Sequence, residues 1–106
     1  MGTEPDRLEV SQNNIESRFE VRSKENVAFL QYEVSGNSIN ILHTEVPRAL
    51  EGKGLGGRLA RAALEFARES GLKVVPFCSF VGGYIRKHPE YLPLVDPLHQ
   101  GGLEEG

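Results

Sequence analysis

The chain changes its hydrophobic period once, and that change limits what it can fold into. From Ser17 to Val46 apolar residues alternate or run in short bursts, whereas from Gly54 onward they recur three or four apart. The switch falls on a glycine-rich segment, Glu51-Gly52-Lys53-Gly54-Leu55-Gly56-Gly57-Arg58, so strands must feed a helix through it. Before the switch, Ser17 to Val21 and Asn26 to Val34 read as strands joined by a turn at Lys24 to Asn26. Ser35-Gly36-Asn37-Ser38 is a second short turn, and the β-branched stretch Ile39 to Val46 is a third strand that Pro47 ends.

After the switch, Leu55, Leu59, Ala62, Ala63, Phe66 and Ala67 fall on one helix face, leaving Arg58, Arg61, Glu65, Arg68 and Glu69 outside. Gly71 is a natural helix stop, and the apolar run Leu72 to Phe77 predicts a strand buried on both faces. Ser79 is placed to cap a second helix from about Phe80 to His88, ahead of Pro89, while Pro93 and Pro97 predict irregular chain. The order β-β-β-α-β-α is a compact α+β arrangement: an antiparallel meander, then α-β-α, with the fourth strand parallel to the third in a mixed sheet. At 106 residues this is one domain, expected over residues 13–98, with polar tails at 1–12 and 99–106 expected to fray.

Charge and cysteine usage exclude several classes. A formal net charge of -3 with scattered basic residues argues against nucleic-acid binding, which needs clustered Lys and Arg to replace phosphate counterions. No apolar run is long enough to cross a bilayer, and the acidic start from Glu4 to Asp6 lacks the basic and apolar regions of a signal peptide. Asp6 also occupies the Ser/Thr position of the myristoylation pattern. The single cysteine, Cys78, excludes an internal disulfide framework and fits a reducing compartment, so a cytoplasmic protein is expected. His43, His88 and His99 have no metal-ligand spacing and Cys78 has no cysteine partner nearby, so no metal is expected.

The glycine-rich segment carries the first chemical signal. Glycines let the backbone turn tightly and approach a ligand, and the free N–H groups of the helix start make an anion site suited to a pyrophosphate, with Lys53 or Arg58 adding positive charge. The plainer reading, a loop whose glycines serve turning alone, has equal standing on composition. Gly52, Gly54 and Gly57 also satisfy the dinucleotide pattern G-x-G-x-x-G, but the following strand ends in Phe77-Cys78 with no acidic residue for a ribose. A phosphate-binding Walker loop fails because no Gly-Lys precedes Ser or Thr.

The pattern that fits is the coenzyme A loop of the GNAT acetyltransferases, Gln/Arg-x-x-Gly-x-Gly/Ala, with Glu51, Gly54 and Gly56 at its three marked positions. The strings His43-Thr44-Glu45-Val46-Pro47, Leu50 to Gly56, Gly71 to Pro76, Cys78, Tyr84-Ile85 and His88-Pro89-Glu90-Tyr91 together resemble a family of short, single-domain GNAT-like proteins, over roughly Ser17 to Val95. Glu51 departs from the usual Gln or Arg, which is tolerable if that position works through its backbone N–H. The resemblance implies that acetyl-coenzyme A lies across Val46, Glu51, Gly52, Lys53, Gly54, Leu55, Gly56, Gly57 and Arg58, its pantetheine between Ile39 to Val46 and Leu72 to Phe77.

Catalytic candidates follow. Cys78 ends a strand just before a helix start, where the dipole favours a thiolate, and the resemblance implies an acetyl-accepting nucleophile there. A small buried hydrophobe is the plainer account. Tyr84 falls where many GNAT enzymes place an acid for the departing thiolate, although a partly buried aromatic explains it too. His43 and Glu45 share one strand face by period two and are candidate bases for an acceptor amine. The leading expectation is an N-acetyltransferase, monomeric or a small homo-oligomer, acting on an unknown amine acceptor, for which the short chain favours a macromolecule. A non-catalytic coenzyme A or acyl-coenzyme A binding module, or a plain interaction domain, is the alternative.

Overall fold

The computed structural model describes residues 8–99, so most of both expected tails lies outside the described residues. Five strands form one sheet in the order β1-β2-β3-β4-β5: Ser11–Asn13, Arg18–Ser23, Asn26–Ser35, Ser38–Glu45 and Lys73–Pro76. The first four pair antiparallel and β5 joins β4 in parallel across a helical crossover, as the order of elements requires. The crossover contains a 3-10 turn, Arg48–Leu50, and the helix α1, Leu55–Ser70; the helix α2, Ser79–Lys87, follows β5. Two further 3-10 segments, Pro89–Leu94 and Pro97–His99, occupy the stretch expected to be irregular.

Both helices pack on one face of the sheet. The strand residues with even numbers in β3, Ala28, Leu30 and Tyr32, point to that face with Val21, Ile39 and Ile41, and meet Leu59, Leu64, Val81 and Ile85 from the helices. Leu55, Leu59, Ala63 and Ala67 are buried as the period predicts. Ala60 and Leu64 are buried too, whereas Ala62 and Phe66 are only half-buried, because α1 lies so that its central stripe is one position off the predicted one. Gly71 adopts the left-handed conformation (φ 70°) and closes α1 as expected, with Leu72 N–H donating to the Ala67 carbonyl.

Three expectations are corrected. Ser11 and Gln12, read as the end of a tail, form with Asn13 a strand that pairs with Glu20 to Arg18 of β2, and Asn13 Nδ2 donates to Glu20 at 3.0 Å. The strand predicted over Leu72 to Phe77 is shorter, and Phe77 stands 64% exposed just past the end of β5, an edge strand that carries on its outer side the Val74–Val95 bridge. Ser79 is the first residue of α2 and not its cap; Cys78 holds the capping position without a side-chain capping bond.

The opposite face of the sheet carries no helix among the described residues. There Glu20, only 2% exposed, is held by Arg18 Nε at 2.6 Å, Arg22 Nε at 3.1 Å and Asn13 Nδ2. Burial alone would raise its carboxyl pKa, but these donors hold it below the usual carboxylate value.

Candidate functional site

The strand β4 is irregular at one residue. Gln31 pairs with His43 but Tyr32 with Ile41, so Leu42 has no partner and forms a bulge. In a regular strand Ile41 and Thr44, three apart, face opposite sides; the extra residue resets the alternation, and both face the helices. His43 and Glu45 therefore face the uncovered side, opposite Gln31 and Phe29.

β5 keeps company with β4 only from Ser38↔Lys73 to Ile41↔Pro76. Pro76 has no N–H to continue the ladder, and the chain turns into α2, so among the described residues β4 has no strand partner on that side from the bulge onward. Cys78 sits at that parting point. Its N–H donates to the Ile41 carbonyl at 3.0 Å and its thiol to Thr44 Oγ1 at 3.4 Å, so the cysteine is tied to β4 on both sides of the bulge. Cys78 is half-buried, and the exposed apolar residues Leu42 and Phe77 lie next in the chain to Ile41 and to Cys78 itself.

The glycine segment sits at the start of α1. Gly52 and Gly54 adopt left-handed conformations (φ 82° and 72°), which only glycine takes without strain. Gly54 is the capping residue, and Arg58 N–H is the first to bond back to it, so the N–H groups of Leu55, Gly56 and Gly57 have no helical partner. Lys53 and Arg58 are exposed beside them, and the Leu55 side chain is buried. Glu51 N–H already donates to the Arg48 carbonyl at 3.1 Å, which removes the backbone role that would have made its departure from the loop pattern harmless. Gly56 serves a second purpose: a Cβ there would stand 2.8 Å from Phe80 Cζ, so its absence lets α2 approach α1, whereas one at Gly57 would meet Tyr84 Cε2 at 3.5 Å, an ordinary contact.

Tyr84 faces a polar cavity of about 350 Å³ between α1, α2 and the Pro89–Leu94 segment, with Arg61, Glu65, Arg68, His88, Glu90 and Tyr91. Its ring stacks on His88 at 4.2 Å. Burial pushes its hydroxyl pKa up, Arg61 opposing and Glu90 and Glu65 adding. The nearby Tyr91 hydroxyl donates to Glu65 Oε2 at 2.7 Å, and burial with that carboxylate pushes it up to about 12. A smaller apolar groove of about 240 Å³, lined by Ser79, Phe80, Gly83, Tyr84 and Lys87, runs along α2 beside the start of α1.

The candidate residues thus divide. Cys78 lies beside the edge of β4 that β5 leaves unpaired, and the start of α1 packs against α2 through Phe80. Tyr84 borders both α2 cavities. His43 and Glu45, joined by a 3.1 Å contact between Nε2 and Oε1, stand on the other side of the sheet, both more than half exposed. Among the described residues no group of three or more metal-ligating side chains occurs. Among the described residues no helix is long and apolar enough to cross a membrane. Sequence reasoning did not single out Thr44 or Phe80. The paired glycines at 56 and 57 are the signal for Phe80, because a helix start without side chains admits a close neighbour.

A family model described as GCN5-related N-acetyl-transferase matches residues 18–94. The mouse (Mus musculus) protein NATD1 is 40% identical over 73 residues, which are 66% of this chain and 66% of that protein. The zebrafish (Danio rerio) NATD1 is 33% identical over 91 residues, 81% of this chain and 83% of that one. A GCN5-like protein from Staphylococcus aureus, solved in solution by NMR, superposes with a TM-score of 0.66 at 35% identity, covering 89% of this chain and 96% of that one.

Proposed function

This chain belongs to the GCN5-related N-acetyltransferase family, and we propose that it binds acetyl-coenzyme A in the cleft between β4 and β5 and passes the acetyl group to an amine through Cys78. The observation that carries the reading is the parting of the parallel strands at Cys78, which leaves a strand edge and a thiol side by side. The free edge of β4 up to Val46 offers the backbone groups that the amides of a pantetheine arm require. The N–H groups of Leu55, Gly56 and Gly57, with Gly52, Gly54, Lys53 and Arg58 around them, fit a pyrophosphate. Glu51 remains near that anion as an acid, and it weakens the fit.

Acetyl-coenzyme A supplies an acetyl group activated as a thioester. Cys78, its thiol proton lost to solvent, would take the acetyl group onto its sulfur by attack at the thioester carbonyl carbon, displacing the donor's thiolate to be protonated by solvent. The acceptor amine then attacks the acetyl-cysteine, forming the amide and restoring the thiol. Glu45 or His43, on the uncovered face, would take the proton of an amine arriving from that side. In direct transfer without a covalent intermediate, Tyr84 would be the acid, and its raised pKa keeps the proton available at neutral pH. An uncovered sheet face suits a macromolecular acceptor, in the cytoplasm.

A second reading, a non-catalytic acyl-coenzyme A binding module, is favoured by the distribution of Tyr84, His43 and Glu45, which do not converge on Cys78. Intact-protein mass spectrometry after incubation with acetyl-coenzyme A separates the two. The relay predicts an acetyl adduct on Cys78, lost in Cys78→Ala with calorimetric coenzyme A binding retained. Binding without an adduct, and without transfer to any amine, selects the module; absence of binding overturns both.

A further inference from the structure

We propose that Thr44 is a positioning residue for Cys78, its hydroxyl accepting from the thiol in the resting protein and turning to donate to the sulfur once the thiolate forms. The inference rests on the assignment of Cys78 as the reacting thiol. A threonine hydroxyl has one rotatable proton and two acceptor sites, so the same oxygen can serve both states of a neighbouring sulfur without moving. The distance of 3.4 Å between Cys78 Sγ and Thr44 Oγ1 is within reach of both bonds. A donor directed at a thiolate favours the charged form, as any hydrogen bond made preferentially to an anion does.

The geometry assigns this role to Thr44 and not to its neighbours. The carboxylate and imidazole of Glu45 and His43 belong to the other side of the sheet, turned away with Phe29 and Gln31. The bulge at Leu42 is what brings Thr44 to the helix side, opposite the fully buried Leu30. The capping position of Cys78 and its N–H bond to Ile41 fix the backbone from which the sulfur reaches Thr44. A side chain held from both ends of a bulge has little freedom to seek another partner.

The experiment measures the rate of Cys78 alkylation by iodoacetamide against pH, without coenzyme A, in the whole protein and in Thr44→Val and Thr44→Ser. Valine keeps the shape and strand preference and removes the hydroxyl; serine keeps the hydroxyl. The expected result is a Thr44→Val curve displaced to higher pH, with a rate at neutral pH several-fold below the unsubstituted protein and the same plateau in alkali. Thr44→Ser should follow the unsubstituted curve. Superposed Val and unsubstituted curves overturn the proposal, and so does a changed plateau with an unchanged midpoint, which would mean that Thr44 only controls access. Thr44→Ala, which cannot clash, repeats the comparison if the valine variant does not fold. Because no coenzyme is present, a displaced curve with no acetyl adduct would sink the relay and leave this inference standing, and the reverse outcome would do the opposite.

Discussion

Three glycines within four residues of one loop should respond to alanine with different signs. Gly54 caps α1 at φ 72°, ψ 19°, where an alanine Cβ is strained whatever the space around it, at a cost of about 1–2 kcal/mol. Gly57 lies inside the first turn of the helix, and its added Cβ would meet Tyr84 Cε2 at 3.5 Å, an ordinary contact. There alanine removes the entropic penalty of glycine and should stabilise by about 0.5 kcal/mol, the low end for a helix position. At Gly56 the same gain is opposed by the Phe80 ring, 2.8 Å away at its tip, which must swing aside. Phe80 is half-exposed, so the turn costs about 0.5–1.5 kcal/mol of rotamer strain and lost packing, and the net change is near zero or slightly destabilising. For a domain of this size about 1 kcal/mol moves Tm by about 4–8 °C, so the order Gly57→Ala above Gly56→Ala above Gly54→Ala is resolvable by circular dichroism melts. A Gly57→Ala variant that melts below the unsubstituted protein, or a Gly54→Ala variant that melts with it, would refute the division of labour assigned to these glycines.

Two further outcomes follow from buried titratable groups. The Glu20 carboxyl has a pKa below its ordinary value, so its stabilisation is complete above the unfolded pKa near 4.5 and disappears as pH falls through the folded value. Glu20→Gln should therefore cost about 1–3 kcal/mol at pH 7 and progressively less in acid, and urea melts from pH 7 to pH 3 that keep a constant gap would contradict it. Tyr91 shows the opposite sign: its neutral form is favoured, so its contribution is present below the unfolded value of 10 and is lost as pH rises towards about 12. Ultraviolet titration should find a tyrosinate forming late in the unsubstituted protein and missing in Tyr91→Phe; equal late titration in both would assign it elsewhere.

The meander, the crossover and α1 were legible because each rests on a repeated period, which survives local irregularity. Ser11–Asn13 was not, since three polar residues have no period and owe their strand to the partners Glu20 and Tyr32. Phe77 was misjudged because an apolar run carries no mark of whether its strand lies at an edge. In the site, Cys78 and the glycines stand where element order puts them. Thr44 could not be paired with Cys78 beforehand: odd spacing from Ile41 places it on the wrong side, and nothing in Leu42 announces a bulge. Glu20 is the same kind of case, a charge whose burial depends on arginines two residues away on either side.

The parallel pairing of β4 with β5 also has a consequence for the order in which the molecule assembles. The β2–β3 and β3–β4 hairpins close over turns of two residues, whereas Ser38 meets Lys73 only after the whole crossover has been drawn in, an entropic cost of about 3 kcal/mol for a span of that length. The thiol and hydroxyl of Cys78 and Thr44, 34 residues apart, meet only on that closure. A chain that has formed its hairpins but not yet docked β5 has most of its sheet and lacks the meeting of Cys78 with Thr44, so that contact is expected to form late in folding and to be lost early when the edge strand opens.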